Sequence, residues 1–141
     1  MTIKLTIQEI LNYDSVVKNI IDNTSVDGIL KFRFLQMAKQ FESTVENVNK
    51  VRDELIDKYS EVNENGQSGI FQPRRDQFVS DEDYNAAVKK FDDTIAKFNK
   101  DMKKVLDDTV ELEITKFKAS DIMNAGIPSD ALLVLYNLIE E

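Results

Sequence analysis

The chain has 141 residues, with 26 acidic against 18 basic side chains, a formal net charge of −8, and no cysteine or histidine. Missing cysteine excludes disulfides, thiolate metal sites and thiol nucleophiles. Missing histidine removes the commonest general base and transition-metal ligand. The acid excess disfavours sequence-independent nucleic-acid binding, which needs a basic face. No stretch approaches the roughly 18 consecutive apolar residues of a membrane span.

At the N-terminus, Ile3 and Leu5 alternate with Thr2, Lys4 and Thr6, a short strand pattern over residues 2–6. There is no long apolar run of the signal-peptide kind, so the expected compartment is the cytoplasm. Thr6 followed by Glu9 has the spacing of a capping box and starts a helix that runs to about Asp22. Its apolar positions, among them Ile10, Tyr13, Val17 and Ile20, recur at steps of three and four. Asn23-Thr24-Ser25 breaks it, and the next helix is expected to begin at Ser25 or Asp27, with Gly28 in its first turn.

The stretch from Leu30 to Val62 is the longest periodic one. Phe34, Phe41, Val48, Leu55 and Val62 stand seven apart, a coiled-coil-like seam without Gly or Pro. A helix about 50 Å long cannot hide such a stripe alone. Its expected partner starts at Ser80, a cap residue followed by Asp81, Glu82 and Asp83 in the dipole-favoured first turn. It continues through Tyr84, Val88, Phe91, Ile95, Phe98 and Met102. The expected architecture is mainly α (α+β): one domain over residues 1–141, built on a long antiparallel helical hairpin of about 26–63 and 80–107. Phe41→Ala and Phe91→Ala are each expected to cost roughly 3–5 kcal/mol.

Residues 64–79 form the inter-helix loop, punctuated by Asn65-Gly66, Gly69 and Pro73. After the second helix, Val110 to Thr115 alternates cleanly. That strand, about residues 110–117, is expected to pair with residues 2–6. Gly126 and Pro128-Ser129 introduce a last helix, apolar on more than one face and ending in Leu138-Ile139-Glu140-Glu141.

No catalytic constellation is legible, and no cofactor-binding or metal-binding motif. A Ser-His-Asp system is impossible, and the four glycines make no phosphate loop. Paired acids such as Asp92-Asp93, Asp107-Asp108 and Glu140-Glu141 read as solvated faces. Asp81-Glu82-Asp83-Tyr84-Asn85 lacks the Gly of a calcium loop and reads as a helix start. Arg52, beside the apolar side of the long helix, reads as a snorkelling or ion-paired residue. Partner contact is the remaining class of site. Its candidates are Phe71, Arg74 and Arg75 in the inter-helix loop and Leu135 and Tyr136 in the last helix.

Several segments together resemble a family of small uncharacterised proteins encoded by tailed phages and prophages, mainly of Gram-positive bacteria. They are the "IKLT" start, "RDELIDKYSE" at 52–61, "NENG" at 63–66, "DEDYNAAVKKFDD" at 81–93, "VELEITKF" at 110–117 and the closing "LIEE". The resemblance covers nearly the whole chain and implies a phage accessory role in the host cytoplasm or on the virion, with no catalytic residues to carry over. The expected activity is therefore non-enzymatic protein–protein interaction, with a phage or host protein or a second copy as partner. No nucleic acid, membrane, small-molecule substrate or cofactor is expected. The alternative is an acidic inhibitor that occupies a basic site on a host defence protein.

Overall fold

Thr6 is the last residue of one element and the cap of the next. The computed structural model describes residues 2–23, 25–26, 28–123 and 125–140. In it, strand β1 (Thr2–Thr6) runs directly into helix α1 (Ile7–Asn23). The expected capping box is present in both directions. The Glu9 amide donates to Thr6 Oγ1 at 3.1 Å, and the Thr6 amide donates to Glu9 Oε1 at 3.1 Å. Helix α2 (Gly28–Tyr59) and helix α3 (Asp81–Leu106) are the two long helices, and strand β4 (Thr109–Glu113) follows α3. Between α2 and α3 lie the short strands β2 (Glu61–Val62) and β3 (Ser68–Gly69). The chain closes with β5 (Phe117–Lys118), α4 (Ala119–Ile122), α5 (Ser129–Val134) and β6 (Ile139–Glu140). The class is the expected one, mainly α with small two-stranded sheets. Two expectations, a helix start at Asp27 and the acidic pair at Glu141, fall outside the described residues.

Two compact units divide the chain. The first is made of Met1–Asn47 and Leu106–Glu141, the second of Val48–Val105.

In the first unit, β1 and β4 pair antiparallel from Thr2 opposite Glu113 to Thr6 opposite Thr109. The Ile7 amide extends the ladder by donating to the Asp108 carbonyl at 2.9 Å. Leu5, opposite Val110, faces the core and is buried, while Lys4 lies opposite Glu111 on the polar face. Helix α1 contributes Ile10, Tyr13, Val17 and Ile20 to the core, and α2 contributes Leu30, Phe34, Met37 and Phe41. Ile114, Phe117, Ile122, Ile127, Ala131, Leu135 and Leu138 complete it. Phe34 meets Phe117 with ring centroids 4.7 Å apart, and Phe41 lies 6.4 Å from Tyr13.

The partner of the seam's first half therefore differs from the expected one. Phe34 and Phe41 pack with α1 and the C-terminal elements, because α1 offers a complete apolar face of its own. The last helix differs too. It runs only from Ser129 to Val134, then tightens into a 3-10 turn, Tyr136–Leu138, and leaves as β6. β6 pairs parallel with β5, Phe117 opposite Ile139. Apolar residues at nearly every position of this segment let it bury Leu135 and Leu138 through a tighter turn.

Among its described residues, the first unit holds one buried charge. Asp14 is 5% exposed; its Oδ2 pairs with Lys18 at 2.9 Å, and its Oδ1 is buried without a hydrogen-bond partner.

In the second unit, the end of α2 and helix α3 run antiparallel. Val48 is buried, and Val51, Leu55, Ile56 and Tyr59 are half-buried. Val88, Phe91, Ile95, Phe98 and Met102 are also half-buried, and no described residue of α3 is fully buried. Arg52 is exposed. Helix α2 stops at Tyr59, four residues earlier than the expected end near residue 63; the Ser60 amide closes on the Asp57 carbonyl at 3.3 Å, and its hydroxyl donates to the Ile56 carbonyl. Asn63 then takes the chain into a turn. Its Oδ1 accepts from the amides of Asn65 and Gln67 at 3.0 and 2.9 Å, and Gly66 supplies the positive φ of 76°. Ser80 caps α3 as expected, its Oγ accepting from the Asp83 amide at 3.2 Å.

These burials set distinct costs. Phe41→Ala should destabilise the first unit by roughly 3–5 kcal/mol, whereas half-buried Phe91 should cost the second roughly half as much. Urea unfolding with a probe in each unit measures both. Lys18→Ala should destabilise by stranding the Asp14 carboxylate, whereas Asp14→Leu should be neutral or stabilising, read from thermal midpoints of the two variants.

Candidate protein-interaction surface

The five residues singled out from sequence fall into two places. Arg75 holds the loop to the helix it precedes. Its guanidinium meets Asp81 Oδ1 at 2.7 and 2.8 Å, and its Nη1 donates to the Phe78 carbonyl at 2.7 Å. Asp81 is the first residue of α3, so this pair fixes the helix start and leaves Arg75 engaged within its own chain. Arg74 stays at the surface, 3.8 Å from the equally exposed Asp76. Phe71 is 45% exposed, with its ring over Gly69, where an added Cβ would come within 3.1 Å of it.

Phe71 and Arg74 line a shallow cleft of about 800 Å³ in the second unit, between the 61–78 segment and α3, with Val62, Pro73 and Phe91. Glu61 and Lys90, joined at 2.6 Å, sit in its wall. At one side Tyr59 donates its hydroxyl to Asp101 Oδ2 at 2.6 Å, and Lys58 approaches the same oxygen at 3.6 Å. The Tyr59 hydrogen bond, reinforced by Lys58, holds the Asp101 carboxyl below its ordinary range. The same hydrogen bond holds the Tyr59 phenol above its own.

In the first unit, Leu135 and Tyr136 separate. Leu135 is fully buried and belongs to the core, so it is no contact residue. Tyr136 is 69% exposed. It lines an apolar groove of about 720 Å³ with Ala119, Met123, Leu132, Leu133 and Ile139. Leu133 and Met123 are 76% and 65% exposed. Helix α5 ends at Val134 and the chain tightens into the 3-10 turn that follows. Leu135 and Leu138, beyond the helix, go inward, while Leu133 and Tyr136 stay at the surface.

A second apolar feature of the first unit lies on α2. Ile29, Phe32 and Leu35 are 76%, 60% and 47% exposed. At 100° per residue, Phe32 points almost directly away from the side that buries Leu30, Phe34, Met37 and Phe41. The helix is thus apolar on both faces at this point. Sequence reasoning on the seven-residue seam missed the stripe. The three-residue step of Ile29, Phe32 and Leu35 on a wheel of α2 was the signal that could have shown it. Arg33 beside the stripe reaches Asp121 of α4 at 3.5 Å.

Among the described residues, no group of three or more acids is placed to hold a metal ion, and no helix is long and apolar enough to cross a membrane. No protein-family model, curated protein or solved structure matches the chain.

The Tyr59–Asp101 bond sets a pH dependence for the second unit. Because the folded pKa of Asp101 is lowered, its contribution is present above the unfolded value of about 3.9 and is lost as pH falls through the folded one. Because that of Tyr59 is raised, its contribution is present below about 10 and is lost as pH rises through the folded value. Tyr59→Phe should flatten both limbs of the urea midpoint plotted against pH.

Proposed function

We propose that this chain is a non-enzymatic accessory protein of a tailed phage or prophage that acts by protein–protein contact. Its work would lie in the virion or its assembly, in the host cytoplasm. The observation that carries the reading is the groove of the first unit, where Leu133 and Tyr136 stand largely in water beside an apolar hollow. Exposed large apolar side chains gathered at a concave surface mark interaction sites more often than isolated ones do. Aromatic and aliphatic anchors in such a place are the residue types that dominate binding energy. The phage assignment rests on the segment resemblance in the sequence.

The test is crosslinked affinity capture from infected host cells, comparing the tagged chain with a Leu133→Asp/Tyr136→Asp double variant. Both positions are exposed, so the variant should keep its circular dichroism and melting temperature. It is expected to lose a phage protein that the unaltered chain retains. Recovery of the same set of proteins by both would overturn the reading.

A further inference from the structure

The first unit carries both an exposed apolar stripe on α2 and an apolar groove beside α4 and α5. We infer that it associates with a second copy of itself. The Ile29–Phe32–Leu35 face of each copy seats in the α4–α5 groove of the other, twice about a two-fold axis. This deepens the reading of that groove as an interaction surface, and rests on it.

Two observations select this occupant. The first is fit. Ile29, Phe32 and Leu35 stand out from one helix face over two turns. The groove, at about 720 Å³, has room for three such side chains, and its walls are apolar: Met123, Leu132, Leu133, Tyr136 and Ile139.

The second is area. A large side chain presents about 200 Å² when fully exposed. At their fractional exposures, the three stripe residues with Met123, Leu133 and Tyr136 of the groove leave on the order of 800 Å² of apolar surface, about what each partner contributes to a standard stable interface. Each patch alone falls short of that, and the two together reach it.

The experiment is sedimentation velocity with light scattering on the full chain, on Phe32→Asp, on Leu133→Asp and on an equimolar mixture of the two variants. Circular dichroism serves as the fold control for these exposed positions. The unaltered chain should be a dimer. Each variant alone should dissociate at least about thirtyfold more readily, as loss of a central anchor does. The mixture should recover dimer beyond either variant alone, because a Leu133→Asp chain keeps its stripe and a Phe32→Asp chain keeps its groove. A monomeric unaltered chain overturns the inference, as does a Phe32→Asp dimer of undiminished strength. A mixture no more associated than its components overturns it as well. If the chain is monomeric but the Leu133→Asp/Tyr136→Asp variant still loses its captured partner, the self-pairing fails and the proposed function stands.

Discussion

The contact between Phe34 and Phe117 is the constraint on which the first unit depends. Both rings are almost wholly buried, 4.7 Å apart. The two residues come from the start of α2 and from the segment after β4, so this contact joins portions of chain that the long helices separate. Around it, α1 supplies Ile10, Val17 and Ile20, and the C-terminal turns supply Ile122, Leu135 and Leu138. Close packing of this kind fixes which side of α2 faces inward. Once Phe34 is committed, Phe32 has no route to the same core, because neighbours two apart on a helix point to different sides. The exposed stripe is thus a direct result of the way the core is closed.

The second unit is held by other means. None of the described α3 residues is fully buried, so hydrophobic burial between the end of α2 and α3 is partial throughout. Polar clips sit along the pair: Tyr59 with Asp101, Lys90 with Glu61, and Arg75 with Asp81. The two exposed ion pairs among them each contribute little. They define register more than they add stability, and Arg75 also secures the point at which α3 begins.

Local chemistry was legible in the sequence because it depends on few residues. The Thr6–Glu9 capping box, the Ser80 cap, the pairing of residues 2–6 with the strand at 110, and the turn at Asn65-Gly66 were all readable at the level of neighbours. Partnership was not. A seven-residue repeat states which side of a helix is apolar, but not what covers it. Phe34 and Phe41 continue the seam into Val48 and Leu55, yet the first pair packs with α1 while the second pair lies in the other unit. The C-terminal segment was obscure for the opposite reason. Leu132, Leu133, Leu135, Tyr136, Leu138 and Ile139 leave no polar face from which to infer orientation. Only the fold shows that Leu135 is enclosed and Tyr136 is not. Of the expected contact residues, Tyr136 stands exposed along the apolar groove and Phe71 along the mixed polar and apolar cleft of the second unit, whereas Arg75 is spent on its own helix.

Thr6 has a role that neither of its two elements would give it alone. It is the last rung of the β1–β4 ladder, opposite Thr109, and its hydroxyl also anchors the first turn of α1. No spacer residue lies between sheet and helix, so the junction has no slack. One extra residue there would either slip the strand by a pleat, exchanging its inner and outer faces, or rotate α1 by about 100° and carry Ile10 and Val17 out of the interior. The segment between Ser60 and Ser80 is tied to α3 by ion pairs at Glu61 and at Arg75, and the stretch between those two has no such double duty. Natural variation in length should therefore collect in that connection and be absent from the seam between β1 and α1.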